Sequence, residues 1–308
     1  MKHTKKVTFI LLGMFLIAQL IGIFVANAYA PEITSVINET TGEVTTVEEY
    51  PSLPGLFQPP SDVSPASATT SIVIALIVAV CLMLLLMKLR AEVFLRAWFF
   101  VVIAIGIALA VNAFVIRFPN SFIIAFIIAI PLTIIKVFKR DIIVHNLTEL
   151  LIYPGIASVF IPLLSIWTVV LLLILISLYD IYAVWHAGFM QKMAKYQMEQ
   201  VKVFSGFFVP YIRKKDRLAI KKAQQSKSKA KGVKISVAIL GGGDVVFPII
   251  LAGVVLHTLG LAQALIIALG ATIALGFLFY NSEKGKFYPA MPFITAGLLV
   301  ALGIAYLI

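Results

Sequence analysis

Nine apolar runs, each close to the length a helix needs to cross a membrane, leave this chain few ways to fold. They cover residues 6–27, 70–89, 94–116, 120–137, 142–162, 165–186, 235–256, 260–280 and 288–308. Hydrocarbon about 30 Å thick takes about 20 apolar residues per helix. In lipid each backbone polar group has to be satisfied internally, so such runs become helices. Composition agrees: 61% of the 308 residues are hydrophobic and only 13% are charged, far less charge than a soluble protein exposes. The expected fold class is all-α, a polytopic membrane protein with nine transmembrane helices.

Orientation follows from where the basic residues fall, since Lys and Arg gather on the cytoplasmic side. With the N-terminus inside, the cytoplasmic segments hold 24 of the 25 Lys and Arg, and only Arg117 is left outside. One missed span would scramble this partition. The N-terminus is therefore expected in the cytoplasm and the C-terminus outside, in a multi-pass protein of the cell membrane. The net charge of +11 is accounted for by topology and calls for no nucleic-acid partner. Lys2, Lys5 and Lys6 before the first run imitate a secretory signal. The run from Val7 to Ala26 is longer than the roughly 7–15 residues of a signal core, so a retained span is expected.

Two long loops divide the chain. Residues 1–186 form an N-terminal membrane part of six spans, 187–234 a basic cytoplasmic loop, and 235–308 a C-terminal membrane part of three spans. The external loop 28–69 carries acidic residues and no basic one. Within it, β-branched residues on both sides of Thr41-Gly42 predict a small hairpin. The loop 187–234, ending in KKAQQSKSKAKGVK, reads as a solvated segment beside anionic lipid headgroups.

Chemistry is concentrated at two residues. Asp180 lies in the sixth run and Asp244 in the seventh, where a carboxylate costs roughly 2.5–3.5 kcal/mol to insert. Counted as helix from the cytoplasmic ends, they sit about 8 and about 13 Å deep. On adjacent antiparallel spans they can face each other. Two carboxyl groups that meet in a low-dielectric site cannot both ionise, and the pair then shares a proton near neutral pH. Such a pair can activate water and polarise a peptide carbonyl without a metal. Depth and pairing alone leave open an aspartic protease, a proton- or ion-coupled transporter, and acids that merely line a cavity. Cys81 is the lone cysteine and the four histidines show no ligand spacing, so neither a metal nor a cofactor is expected.

The glycines Gly241-Gly242-Gly243 before Asp244 allow the backbone to leave helical geometry and another chain to approach. A helix in lipid protects its own peptide bonds. A protease acting there has to unwind its substrate, most cheaply by pairing it as an added strand. Pro289 and Pro292 predict an extended stretch before the last helix.

Tyr179-Asp180, Gly241-Gly242-Gly243-Asp244 and Pro289-Ala290-Met291, in this order, resemble the YD, GxGD and PAL motifs of the presenilin and signal-peptide-peptidase family. The span count and orientation resemble the presenilin branch, and the compact chain resembles its archaeal or bacterial homologues. The resemblance implies an intramembrane aspartyl endopeptidase acting on transmembrane helices of other proteins in the lipid bilayer. Asp180 and Asp244 would be the catalytic pair, and Tyr179 would shape the cavity beside Asp180. Gly241 and Gly243 would keep the backbone tight and open to substrate, while Pro289 and Ala290 would bring the last span against the dyad. Met291 stands where the family has Leu, an apolar swap of similar volume. Prepilin or preflagellin peptidase is a second GxGD-type reading, but its bacterial forms often carry paired cysteines, absent here, and neither form has the PAL-like opening of a last span. No partner subunit is called for.

Other polar residues in the runs read as structural. His145 and Glu149, four apart, can pair on one helix face. Asn112, His257 and Gln263 read as helix contacts, and Asn146-Leu147-Thr148 as a glycosylation sequon without meaning inside a span.

Overall fold

The computed structural model describes residues 5–37, 44–49, 53, 57, 65–139, 141–187, 196–201, 203, 205–212, 235–282 and 288–308. The helices are α1 (Lys5–Ala28), α2 (Pro65–Lys88), α3 (Glu92–Val115), α4 (Ser121–Lys139), α5 (Ile142–Phe160), α6 (Ile166–Tyr182), α7 (Gly242–Thr258), α8 (Leu261–Asn281) and α9 (Met291–Leu307). Seven are long and apolar enough to cross a membrane, while α7 and α9 are shorter apolar helices. Four strands form two antiparallel pairs: β1 (Glu32–Ile37) with β2 (Val44–Glu49), and β3 (Gly206–Ile212) with β4 (Ile235–Gly241).

Local chemistry explains where the helices start. Asp141 caps α5, its Oδ1 accepting from the amides of Ile143 at 2.8 Å and Val144 at 3.0 Å. Ser165 and Thr168 form a reciprocal capping box at α6, so α5 and α6 are separate helices across a short 3-10 turn, Ile161–Leu163. Gly260, at φ +112°, turns the chain between α7 and α8.

The first span is a core helix. Leu11, Phe15, Ala18, Gly22 and Ala26 of α1 are buried, and the helix packs on α5, α7 and α8. Helices α3 and α5 lie back to back at Gly106 and Gly155: a Cβ on Gly155 would collide with the Gly106 carbonyl oxygen. Small residues that let backbones touch are how helices associate without a hydrophobic drive. By contrast none of the described residues of α2 is fully buried: Cys81 is exposed, and only Ile72, Val73, Met83 and Leu86 pack against the main core.

The hairpin expected in the external loop is present as β1 and β2, whose register runs from Glu32 opposite Glu49 to Ile37 opposite Val44. Its turn, with Thr41-Gly42, lies outside the described residues. The seventh run departs from expectation. Residues 235–241 are strand, and helix begins only at Gly242. The helical rise used to place Asp244 about 13 Å deep therefore does not apply. Nor is 187–234 wholly a solvated loop: Val201, Val203, Phe207 and Val209 are buried in the main core. Its basic stretch 213–234 lies outside the described residues.

Candidate active site

Asp180 owes its position to the periodicity of α6. Leu173, Ser177 and Asp180 recur at helical spacing on the buried face. That face meets α9, where Ser177 Oγ and Thr295 Oγ1 lie 2.8 Å apart. One turn further, Asp180 reaches the start of α9. Tyr288 and Pro289 are non-helical, Ala290 is a bend, and helix begins at Met291 with Pro292 in its first turn. The entry is non-helical over Tyr288 and Pro289, but it is not extended throughout as the two prolines predicted: Ala290 is already in the αR region and Pro292 lies within the helix. First-turn amides of a helix have no partner within it. Here the Met291 amide donates to Asp180 Oδ2 at 3.1 Å, and the Ala290 amide also bonds this carboxylate. Pro289 is buried behind this contact.

Asp244 is placed by the strand-to-helix junction. Gly241 is the extended N-cap of α7 at φ −65°, ψ 147°, which makes Asp244 the third helical residue. An acid there can reach back to the N-cap amide, half of a capping box, and the Gly241 N–H does bond the Asp244 carboxylate. A Cβ on Gly241 would stand 3.2 Å from Asp244 Oδ2. The tightest of the three glycines is the middle one. A Cβ on Gly242 would meet Ser205 Oγ at 2.7 Å and the buried Tyr153 ring at 2.8 Å. Gly243 is exposed and has room, with nothing nearer than Phe247 at 4.0 Å.

Helix α6 packs on α7, and the charge of Asp180 acts on Asp244. Asp180, in the last turn of α6, is buried against the start of α9, and Asp244, in the first turn of α7, is partly buried. The structure therefore brings together Asp180, Asp244, Gly241, Pro289, Ala290 and Met291. Tyr179 is adjacent but turned outward, 39% exposed and within electrostatic reach of Asp180.

Sequence reading passed over three contributors. Pro248, four residues after Asp244, removes the amide that would pair with the Asp244 carbonyl. Beside that gap, Gln19 of α1 donates to the Val245 carbonyl at 3.1 Å. Tyr153 fixes Gly242 from α5 and meets Phe207 of β3 edge to face. A lone Gln or Tyr in an apolar run gives no local signal of what it touches.

Residues 57–308 match the profile of the family described as signal-peptide peptidase, presenilin aspartyl protease. The chain belongs to this family. Two solved structures of a presenilin family intramembrane aspartate protease share its fold. One, in space group C222, aligns with TM-score 0.60 at 18% identity over 97% of this chain and 98% of the other. The second, in P2, aligns with TM-score 0.59 at 18% identity over 96% of both chains. A sequence comparison with curated proteins gives no match. Membership makes this multi-pass membrane protein an intramembrane aspartyl protease.

Proposed function

We propose that Asp180 and Asp244 are the dyad with which this intramembrane aspartyl endopeptidase hydrolyses peptide bonds inside transmembrane helices. The observation that carries the reading is the meeting of two span-embedded carboxylates, each bonded by an amide at a helix N-terminus. Asp180 accepts from two backbone amides, those of Met291 and Ala290, and Asp244 from one, that of Gly241. Asp180 is assigned as the base and Asp244 as the acid. A water between them loses a proton to Asp180 as its oxygen attacks the peptide carbon, and Asp244 gives its proton to the carbonyl oxygen. The tetrahedral diol then collapses, the proton on Asp180 passing to the leaving nitrogen and one hydroxyl proton returning to Asp244.

Substrate reaches the dyad as a strand in this reading. The carbonyls of Gly206 and Phe208 are bonded by side chains of α5, so the alternate residues of β3 face β4. By the observed register, Leu240 and Ala238 of β4 point their backbone groups at β3, leaving those of Val237, Ile239 and Gly241 on the outer edge. Among the described residues no further strand covers that edge. A substrate segment added there runs directly past Gly241 and Asp244.

Nine spans, a cytoplasmic N-terminus and an outer C-terminus complete the proposal. Its support is the seven long and two short apolar helices, with the basic residues partitioned as above. At 17 residues, α7 and α9 are each about 26 Å long, close to the hydrocarbon thickness. The basic segment 187–234 then separates two membrane parts on the cytoplasmic side of the cell membrane.

The test is cleavage of a single-span substrate by purified protein in liposomes. Asp180→Ala and Asp244→Ala should each abolish cleavage. Persistent cleavage by both variants, or Asp-dependent ion movement in place of cleavage, sinks the reading in favour of another hydrolase or a transporter.

A further inference from the structure

A charged cluster sits outside the dyad, buried between α4, α5 and β3. Lys136 Nζ lies 2.7 Å from Glu149 Oε1, and the two side chains are 2% and 0% exposed. An ion pair buried at such depth carries a large desolvation penalty, and intramembrane ionisable residues mark function by default. The expected His145–Glu149 pairing is present at 3.5 Å, but as one edge of something larger. Each member of the cluster on α5 reaches the backbone of β3.

His145 Nε2 lies 2.8 Å from the Gly206 carbonyl, and Nδ1 lies 3.2 Å from Lys136 Nζ. The two contacts fit one tautomer: Nε2–H donates to Gly206 and Nδ1 accepts from the lysine. Asn146 Nδ2 donates to the Phe208 carbonyl at 2.7 Å while the Phe208 amide donates to Asn146 Oδ1 at 2.9 Å. This is the double exchange that a residue on a neighbouring strand would make. Glu149 accepts from the Gly206 amide at 3.4 Å and from Ser205 Oγ at 3.5 Å. The His145 ring also stacks on Phe208, centroids 4.7 Å apart. An edge that would otherwise be open is thereby closed by side chains. Pro210, which has no amide to offer, stands opposite Val237 in the register, two residues beyond Phe208, so that its missing amide falls on this same edge.

We infer that α5 stands in for a third strand of the β3–β4 sheet, with His145, Asn146 and Glu149 as positioning residues that fix the register of the strand entering Asp244. The inference rests on the proposed dyad and substrate strand. Its content goes further: a sheet of two strands is marginal alone, and β4 joins α7 with no intervening residue. Movement of the sheet along α5 therefore moves Gly241 and the paired substrate relative to the dyad. Lys136 holds Glu149 and His145 in the orientation that meets β3.

Two variants test it in the full-length protein in lipid nanodiscs. Asn146→Leu removes both Phe208 bonds, and His145→Phe removes the Gly206 bond while keeping a flat ring on Phe208. Amide hydrogen exchange over 206–212 and 235–241 should quicken about tenfold or more in Asn146→Leu, and less in His145→Phe. Exchange in α1, α3 and α8 should not change, which separates lost positioning from lost folding. Cleavage-site mapping by mass spectrometry should show the main cut displaced by about two residues, the step that keeps side chains on their faces. Unchanged exchange and unchanged cut sites in both variants overturn the inference. If Asn146→Leu fails to fold, His145→Phe decides alone. A wild-type protein that does not cleave refutes the protease reading, and exchange still tests the clamp.

Discussion

At the scale of single residues, the departure of Met291 from the family's Leu has a physical resolution. What Met291 brings to Asp180 is its backbone amide, and its buried side chain only fills space. Met291→Leu should keep cleavage near the wild-type rate. Met291→Pro suits the first position of a helix but removes the donor. Losing a hydrogen bond to a charged group is worth about 1.5–3 kcal/mol, so kcat should fall on the order of 10- to 100-fold. A proline variant that cleaves at full rate would show that the amide is not needed. The glycine triplet separates in the same way. Gly242→Ala pushes a methyl against Tyr153 and should destabilise the protein by about 1–3 kcal/mol in thermal or denaturant unfolding. Gly243→Ala has room and should change stability by less than about 0.5 kcal/mol. Any loss it causes should lie in KM, because Gly243 faces outward, where a substrate would approach. Both acids could be read from the sequence because a charge inside a lipid-length run is conspicuous. The distinction between Gly242 and Gly243 could not, since it is set by Tyr153, far away in the chain.

Among the elements, helices were readable and the inner sheet was not. The run ISVAILGGGD merges with α7 because its residues are apolar on both faces. Ala238 and Leu240 are buried while Val237 and Ile239 are 45% and 40% exposed, so the alternation exists in space but not in polarity. A continuous apolar run cannot be assigned to helix or strand by period alone. Its partner β3 was hidden for a different reason: it lies inside a segment whose overall charge reads as solvated. The outer hairpin was readable because β-branched residues cluster on both sides of a turn signal. Helix packing likewise depends on distant pairs. At the α3–α5 contact, Gly155→Ala sets a Cβ against backbone, which cannot rotate away. The helices have to part, and the unfolding midpoint should drop by the equivalent of at least about 1–3 kcal/mol. An alanine variant as stable as wild type would mean that the two helices do not touch in the bilayer.

For the molecule as a whole, the consequence lies in which substrates can be cut. The proposed dyad sits where α7 follows β4 and where α6 nears its end at Tyr182, both next in sequence to the segment that carries thirteen basic residues between 187 and 234. In the proposed topology that segment is cytoplasmic, which sets the acids in the inner half of the bilayer. A strand paired to the outer edge of an antiparallel sheet most simply runs antiparallel to β4. In the proposed topology β4 runs from the cytoplasm toward the dyad. The substrate then enters from the membrane side and leaves toward the cytoplasm, with its N-terminus outside. Single-span substrates of that orientation should be cut near their cytoplasmic end, and the inverted ones more slowly by tenfold or so. Reconstitution with one substrate in both orientations, each cut mapped by mass spectrometry, measures this directly. Efficient cleavage of the inverted substrate alone would mean that β4 and the dyad are approached from the opposite side, and the charge-based topology would fall with it.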